Sequence, residues 1–220
     1  MEQLRYLALG DSYTIGESVA EADRWPVQLV ARLRAAGIPI AEPQIVAQTG
    51  WTTAELMVGI ETAVFHPPYH LVTLLIGVNN QYRGRAQAEY REQFATLLQQ
   101  AIQFAADDPQ RVIVLSIPDW GVTPFAADRD RQQIGAEIDA FNAINRAETA
   151  RAGAHYVDIT PVSRQAKDRV AYTAVDNLHP SGQLYAAWVA LVLPTARMAC
   201  RPNCLSHQVP SGSWQMPELT

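Results

Sequence analysis

The sequence has few cysteines and few charged residues. Only 2 of its 220 residues are cysteines, and charged residues make up 18% of the chain. Cys200 and Cys204 lie near the C-terminus, where a reducing compartment would keep them as thiols and an oxidising one could pair them. Together with His207 they lack a fourth ligand and the Cys-x2-Cys spacing usual at zinc sites. We therefore expect no metal at this end of the chain.

The sequence also lacks clusters of positive charge and long apolar runs, and these absences argue against binding to nucleic acids and against insertion into membranes. The net charge is -5, and no basic cluster is present that would neutralise the phosphates of a nucleic acid or of an anionic membrane. The longest apolar run, residues 184–193, is about half the length of a membrane-spanning helix. The sequence therefore predicts no nucleic-acid partner and no transmembrane segment.

No secretion signal is visible at the N-terminus. Residues 1–3 lead directly into an apolar run, without the charged and then apolar leader of a signal peptide. We expect a cytoplasmic protein, or an exported one if a signal peptide had been removed before residue 1.

What the sequence does contain is an alternation of short apolar runs and longer helical patterns. Such alternation predicts βαβ units, and hence a parallel sheet covered by helices on both faces. We predict one domain over residues 1–198 and an extended tail over residues 199–220, with Pro194 ending or kinking the last helix. The predicted strands are 4–9, 44–47, 70–76, 111–116 and 155–158; the predicted helices are 25–36, 52–63, 86–106, 130–151 and 181–193.

Polar or glycine residues stand where the predicted strands end. The first strand leads into Gly-Asp-Ser and ends at Ser12, the second leads to Gly50, and the third ends at Asn79. His179 opens the last predicted helix. Taken alone, each has an ordinary interpretation as a cap, a turn residue or a helix start. Ligands bind at the carboxyl ends of parallel strands, so the four together indicate a site built around a serine nucleophile.

A serine hydroxyl is a poor nucleophile unless a base takes its proton, and the sequence offers one pair of residues for that task. Asp176 precedes His179 by three residues, so that one turn of chain would place both side chains on the same side. The carboxylate could then accept the Nδ1 proton of the imidazole and fix its tautomer. The other histidines have no such partner nearby in the sequence.

In this order, the motifs resemble those of the SGNH hydrolases, also called the GDSL esterase/lipase family. The matching residues are Gly10 to Gly16, Gly50, Gly77 to Asn79, and Asp176 to His179. The resemblance implies a flavodoxin-like three-layer α/β/α sandwich with a central parallel sheet of about five strands. Asn80 stands where the family more often has aspartate.

The same resemblance implies a role for each site residue. Ser12 would be the nucleophile, His179 the general base and Asp176 the residue that orients it. The oxyanion hole would consist of the backbone N–H groups of Ser12 and Gly50 and the side chain of Asn79.

The expected activity is hydrolysis of a small carboxylic acyl ester through an acyl-enzyme, with neither cofactor nor metal. Two alternatives stay open: an acyltransferase with the same Ser-His-Asp site, and a non-catalytic binding protein on this fold. Lysophospholipids, aryl esters and acetylated sugars all stay open as substrates. Four aromatic residues at the expected site edge would line an acyl pocket or pack down as lids: Trp51, Tyr82, Trp120 and Phe125.

Overall fold

The computed structural model describes residues 3–201 and contains one five-stranded sheet. Every neighbouring pair of strands is parallel, and the strand order is β2-β1-β3-β4-β5, as in flavodoxin. The predicted α/β fold with about five strands is thus confirmed. The strands are β1 Tyr6–Asp11, β2 Gln44–Gln48, β3 Leu71–Leu75, β4 Val112–Leu115 and β5 His155–Val157.

Helices cover both faces of this sheet. Helix α2 packs against α8, and α5 packs against both α3 and α6. The three central strands β1, β3 and β4 are buried along their whole length, which explains their continuous apolar sequences. The helices are α1 Ser12–Ile15, α2 Trp25–Ala35, α3 Thr53–Thr62, α4 Val78–Tyr82, α5 Gln87–Phe104, α6 Arg131–Ala152, α7 Thr160–Ser163 and α8 Gly182–Ala199.

The residues from which the helix ends were predicted occupy the expected positions at those ends in the structure. Pro26 lies in the first turn of α2, and Gly153 closes α6 with a φ of 73°. At the start of α3 the backbone N–H of Thr52 donates to the carboxylate of Glu55 over 2.7 Å. Glu55 thereby satisfies an N–H that the helix itself leaves unpaired.

Helix α8 is longer than predicted. It continues through Pro194 to Ala199, whereas the sequence predicted a stop or kink at the proline. Buried side chains on both sides of Pro194, including Val192 and Ala196, pack into the core. We attribute the continuation to this packing, which outweighs the hydrogen bond that proline removes.

The C-terminal predictions fall mostly outside the described residues. Cys200 follows α8 as a buried free thiol, and burial raises its pKa to about 11. Residues 202–220, which include Cys204, His207 and nearly all of the predicted tail, are not described. Within residues 3–201, no helix is long and apolar enough to cross a bilayer, and no three or more His, Cys, Asp or Glu side chains are grouped so that they could hold a metal ion.

Candidate active site

Ser12 lies at the junction between β1 and α1. The strand ends at Asp11, two residues beyond the predicted range 4–9, and Ser12, which was predicted at the end of the strand, is the first residue of the short helix. Asp11 caps that helix by accepting the N–H of Tyr13 at 3.0 Å. A Cβ at Gly10 would come within 2.5 Å of the carbonyl oxygen of Leu75. The Gly-Asp-Ser sequence therefore combines a close approach of two strands, a cap and the candidate nucleophile.

Asp176 and His179 lie in the loop before α8. The sequence predicted that His179 opens the last helix, but α8 begins at Gly182, capped by Ser181. One oxygen of Asp176 accepts the backbone N–H groups of Leu178 and His179, each at 2.9 Å, which holds the loop in a tight turn. Asp176 and His179 therefore face each other through a side-chain-stabilised turn rather than through helical spacing.

These residues form one chain of hydrogen bonds with the serine. The Nδ1 atom of His179 lies 2.6 Å from Oδ2 of Asp176, and its Nε2 atom lies 2.9 Å from Oγ of Ser12. If Asp176 accepts the Nδ1 proton, Nε2 is left as an acceptor for the proton of the serine. The geometry thus places the imidazole of the predicted base within hydrogen-bonding distance of both the predicted nucleophile and the predicted orienting carboxylate.

The electrostatics of Asp176 suit an orienting role. Its partial burial raises the pKa, but the hydrogen bonds from Leu178, His179 and Ser18 outweigh that effect and lower the pKa to about 2. Because the pKa lies below the ordinary value of 3.8, the carboxylate stays ionised over the whole neutral and mildly acidic range. It can therefore accept a hydrogen bond from the Nδ1–H group of the imidazole at every pH in that range.

Two residues that contact the hydrogen-bonded Asp176 and His179 were not predicted from the sequence. Ser18 donates its hydroxyl to Oδ2 of Asp176 over 2.7 Å. The ring of Tyr13 lies against the imidazole of His179, with 5.0 Å between the ring centroids. Both contacts help to hold the base and its partner in place, and both depend on how distant segments pack.

The predicted oxyanion donors lie beside the serine. Gly50 has a φ of 83°, and its N–H has no hydrogen-bond partner among residues 3–201. Asn79 lies on α4 rather than at the end of β3, which stops at Leu75, one residue short of the predicted range 70–76. Ser12, Gly50 and Asn79 all line one cavity.

Two acceptors position the amide of Asn79. Its Nδ2 donates to the carbonyl oxygen of Trp51 over 3.0 Å and reaches Oδ2 of Asp11 only at 3.4 Å. The second contact is at the limit of a hydrogen bond and is correspondingly weak. A negative oxygen formed in the cavity would compete for that second N–H at little cost.

Three of the four predicted pocket aromatics line this cavity, which has a volume of about 170 Å³. Trp120 is buried, whereas Tyr82 and Phe125 are 46% and 43% exposed and form its rim. The centroids of their three rings lie within 6.5 Å of one another. The prediction for Trp51 was wrong, because its ring packs against Gly59 of α3 and does not line the cavity.

Asp11 is a buried carboxyl group directly behind the serine. Burial raises its pKa to about 7, although hydrogen bonds from Tyr13 and Asn79 act in the opposite direction. Because the folded-state pKa exceeds the ordinary value of 3.8, the protonated form is favoured in the fold. Its contribution to stability is present below about pH 4 and is lost as the pH rises toward 7.

This burial predicts a pH-dependent difference between the protein and its Asp11→Asn variant. Relative to the variant, the free energy of unfolding of the parent should fall by up to about 4 kcal/mol between pH 4 and pH 7 and then level off. Urea unfolding of both proteins over this range measures the difference, in which the other titrating groups cancel. A constant difference would show that Asp11 has the same pKa in the folded and unfolded states, so that burial does not raise it.

Comparison with known proteins gives the following matches. The sequence model of the GDSL-like lipase/acylhydrolase family matches residues 8–187, a range that includes every residue of the site. The crystal structure of TesA is 19% identical, covers 89% of this chain and 99% of its own, and has a TM-score of 0.71. The lipase/acylhydrolase from Enterococcus faecalis is 20% identical, with 89% and 96% covered and a TM-score of 0.68.

A third solved structure shares the fold, the acetylxylan esterase Axe2 from Geobacillus stearothermophilus. It is 17% identical, with 88% of this chain and 94% of its own covered and a TM-score of 0.65. No curated protein sequence matches the chain. At these identities the structural matches establish a shared fold.

Proposed function

The chain belongs to the GDSL-like lipase/acylhydrolase family, as its motifs indicated, and is an ester-bond hydrolase; within that family we propose that it is a serine-dependent carboxylic ester hydrolase acting through an acyl-enzyme. The observation that carries the proposal is the hydrogen-bonded chain from Ser12 through His179 to Asp176, beside Gly50 and Asn79. This arrangement unites a nucleophile, a base, its orienter and oxyanion donors, the set of groups that acyl transfer requires.

The first half of the reaction forms the acyl-enzyme. Oγ of Ser12 attacks the ester carbonyl carbon while Nε2 of His179 takes the hydroxyl proton. The carbonyl oxygen becomes an anion that accepts hydrogen bonds from the N–H groups of Ser12 and Gly50 and from the amide of Asn79. When the carbonyl re-forms, the bond to the alcohol oxygen breaks and His179 returns the proton to that oxygen. The alcohol leaves, and the acyl group stays on Ser12.

The second half removes the acyl group with water. His179 takes a proton from the water, whose oxygen attacks the carbonyl carbon of the acyl-enzyme, and the same donors hold the second oxyanion. The bond to Oγ then breaks, the proton returns to Ser12 and the carboxylic acid departs. The ionised Asp176 stabilises the imidazolium that forms in each half.

The size of the cavity favours a compact acyl group. An apolar cavity of about 150 Å³ holds one benzene molecule, so the 170 Å³ here suits an acyl group of roughly four to six carbons or a single aromatic ring. The buried ring of Trp120 lines this space, and its Nε1 is held by a 2.7 Å hydrogen bond to Gln81. Of the substrates that the sequence left open, aryl esters and acetylated sugars therefore fit better than lysophospholipids with a long acyl chain.

A panel of p-nitrophenyl esters with acetyl, butanoyl, hexanoyl, benzoyl and dodecanoyl groups tests the proposal. We expect kcat/KM to rise by about tenfold from acetate to butanoate, because each of the two added methylenes contributes about 0.8 kcal/mol when it is buried, and to fall at dodecanoate. With an alcohol added, the product should still be the free acid. A steady rise through dodecanoate would contradict the compact pocket, and a new ester as the main product would indicate a transferase.

The two neighbouring asparagines should respond differently to substitution. Asn79→Ala should lower kcat by roughly 10² to 10³ with little change in KM, because it removes one oxyanion donor. Asn79→Asp should be at least as severe, because a carboxylate would repel the oxyanion.

Asn80 provides the matched control. It is buried, and its side chain bonds the backbone N–H and the hydroxyl of Thr53 at 3.0 and 2.7 Å. Asn80→Asp keeps the acceptor for that N–H, and the hydroxyl of Thr53, which donates to Oε1 of Gln93 in the parent, can turn toward the new carboxylate, so the effect on kcat should be small. Kinetics of the three variants on one ester make the comparison. If kcat is more sensitive to substitution at position 80 than at position 79, the assignment of the oxyanion donor to Asn79 is wrong.

A further inference from the structure

The predicted oxyanion hole depends on a glycine whose own sterics do not fix its orientation. Gly50 is in the left-handed region, with a φ of 83°, and glycine has more backbone freedom than any other residue. A misplacement of about 1 Å in a catalytic site can cost roughly a hundredfold in rate, so the direction of a donor must be held closely. Contacts from outside the turn must therefore hold the peptide groups around Gly50.

Arg83 makes the most direct of these contacts. Its Nη2 donates to the carbonyl oxygen of Gly50 over 2.6 Å. Its Nη1 lies 3.1 and 3.3 Å from the two carboxylate oxygens of Glu55. A planar guanidinium that reaches both groups at once has little freedom to rotate. The carbonyl of Gly50 is thereby tied to a fixed point on α3.

Glu55 is itself fixed by the start of α3. It accepts the backbone N–H of Thr52 at 2.7 Å and the hydroxyl of Thr52 at 2.9 Å. The backbone hydrogen bond from Thr52 is the main cause that lowers the pKa of Glu55, and the contacts with Arg83 lower it further, so it is ionised at neutral pH. The residue that caps α3 therefore also orients the guanidinium of Arg83.

Arg83 also joins the two sides of the oxyanion hole. It directly follows α4, the helix that carries Asn79, and its backbone N–H donates to the carbonyl oxygen of Asn79 at 3.0 Å. The amide of Asn79 in turn donates to the carbonyl oxygen of Trp51, next to Gly50. One residue thus contacts the segments that carry two of the three predicted donors.

From these contacts we propose that Arg83 is a positioning residue: it fixes the peptide group that follows Gly50 and thereby restrains the glycine whose N–H must point, together with the amide of Asn79, at the oxyanion. The proposal rests on the proposed function, because it assigns Arg83 to the oxyanion hole of that reaction. Arg83 does not line the cavity, and the charge of its guanidinium is balanced by Glu55. Its effect is therefore on geometry, and it should act on the transition state more than on substrate binding.

The Arg83→Ala variant tests the proposal, with Arg34→Ala as the matched control. Arg34 has the same exposed side-chain fraction, 39%, pairs with Glu42 and donates to the carbonyl oxygen of Ile40, but it lies on α2. We expect Arg83→Ala to lower kcat about tenfold, a part of the 10² to 10³ lost when a donor is removed, with KM changed by less than about twofold. The control should keep the parent kcat and the same melting temperature as Arg83→Ala.

Two further readouts separate positioning from a general loss of structure. Phenylboronic acid forms a tetrahedral anionic adduct with an active serine, so its inhibition constant should rise by about the same factor as kcat falls. Arg83→Lys keeps the charge but lacks the planar fork, so it should restore little of the activity.

Distinct outcomes would overturn the proposal. If Arg83→Ala keeps the kcat and the boronate inhibition constant of the parent, the turn at Gly50 keeps its conformation without Arg83. Full activity in Arg83→Lys would assign the effect to charge instead of geometry. Absence of ester hydrolysis by the parent protein would instead contradict the proposed function itself, so the two failures are distinguishable.

Discussion

Replacement of Ser12 by alanine is expected to lower kcat by about 10³ or more, with KM nearly unchanged. The variant keeps the cavity and the oxyanion donors but has no oxygen to form the acyl-enzyme. The fold should tolerate the change, because the only side-chain hydrogen bond of the Ser12 hydroxyl within residues 3–201 is the one to His179. Steady-state kinetics on a hexanoyl ester and a thermal melt of the variant check both statements. Hydrolysis at the parent rate would refute the proposed mechanism.

Asp176→Asn should be comparably severe, with a loss of roughly 10³ to 10⁴ in kcat. An amide nitrogen in place of Oδ2 would face Nδ1 of His179 as a donor. It would favour the tautomer with the proton on Nε2, and that nitrogen could then no longer accept the proton of Ser12. The loop should persist, because the remaining oxygen can still accept the N–H groups of Leu178 and His179.

Asp108→Asn is a suitable control for this substitution. Asp108 also accepts a backbone N–H, that of Gln110 at 3.0 Å. However, it precedes β4 and therefore lies at the amino ends of the parallel strands, whereas Ser12 lies at their carboxyl ends. The control should therefore keep the parent kcat. A large rise in KM in Asp176→Asn with kcat unchanged would mean that Asp176 binds substrate instead of orienting the base.

The features that the sequence predicted well are those with a local cause. The apolar run before Gly-Asp-Ser specifies a buried strand, and Asp11 caps the following turn with an atom two residues away. Asp176 and His179 are three residues apart, so their pairing needs only a local turn. The family motifs supplied the rest of the site, because their order along the chain matches the order of strands whose ends converge.

The features that the sequence did not predict depend on distant contacts or on very short elements. Helix α4 has only 5 residues, too few for a periodic pattern, so Asn79 was assigned to the end of a strand. Pro194 marks a helix end in isolation, whereas packing of α8 on α2 carries the helix past it. The ring of Trp51 turns toward α3 because Gly59 leaves room for it. Arg83 reaches Gly50 across 33 positions of sequence, and no local pattern marks that contact.

The central claim is that Ser12 is the nucleophile, and covalent labelling tests it most directly. A fluorophosphonate probe should add once per chain, inactivate the enzyme in proportion to labelling, and appear by peptide mass spectrometry on Ser12 alone. Ser12→Ala should take up no probe at this position and should retain its fold. Labelling of another residue in proportion to inactivation, or ester hydrolysis that continues after Ser12 is fully labelled, would contradict the mechanism.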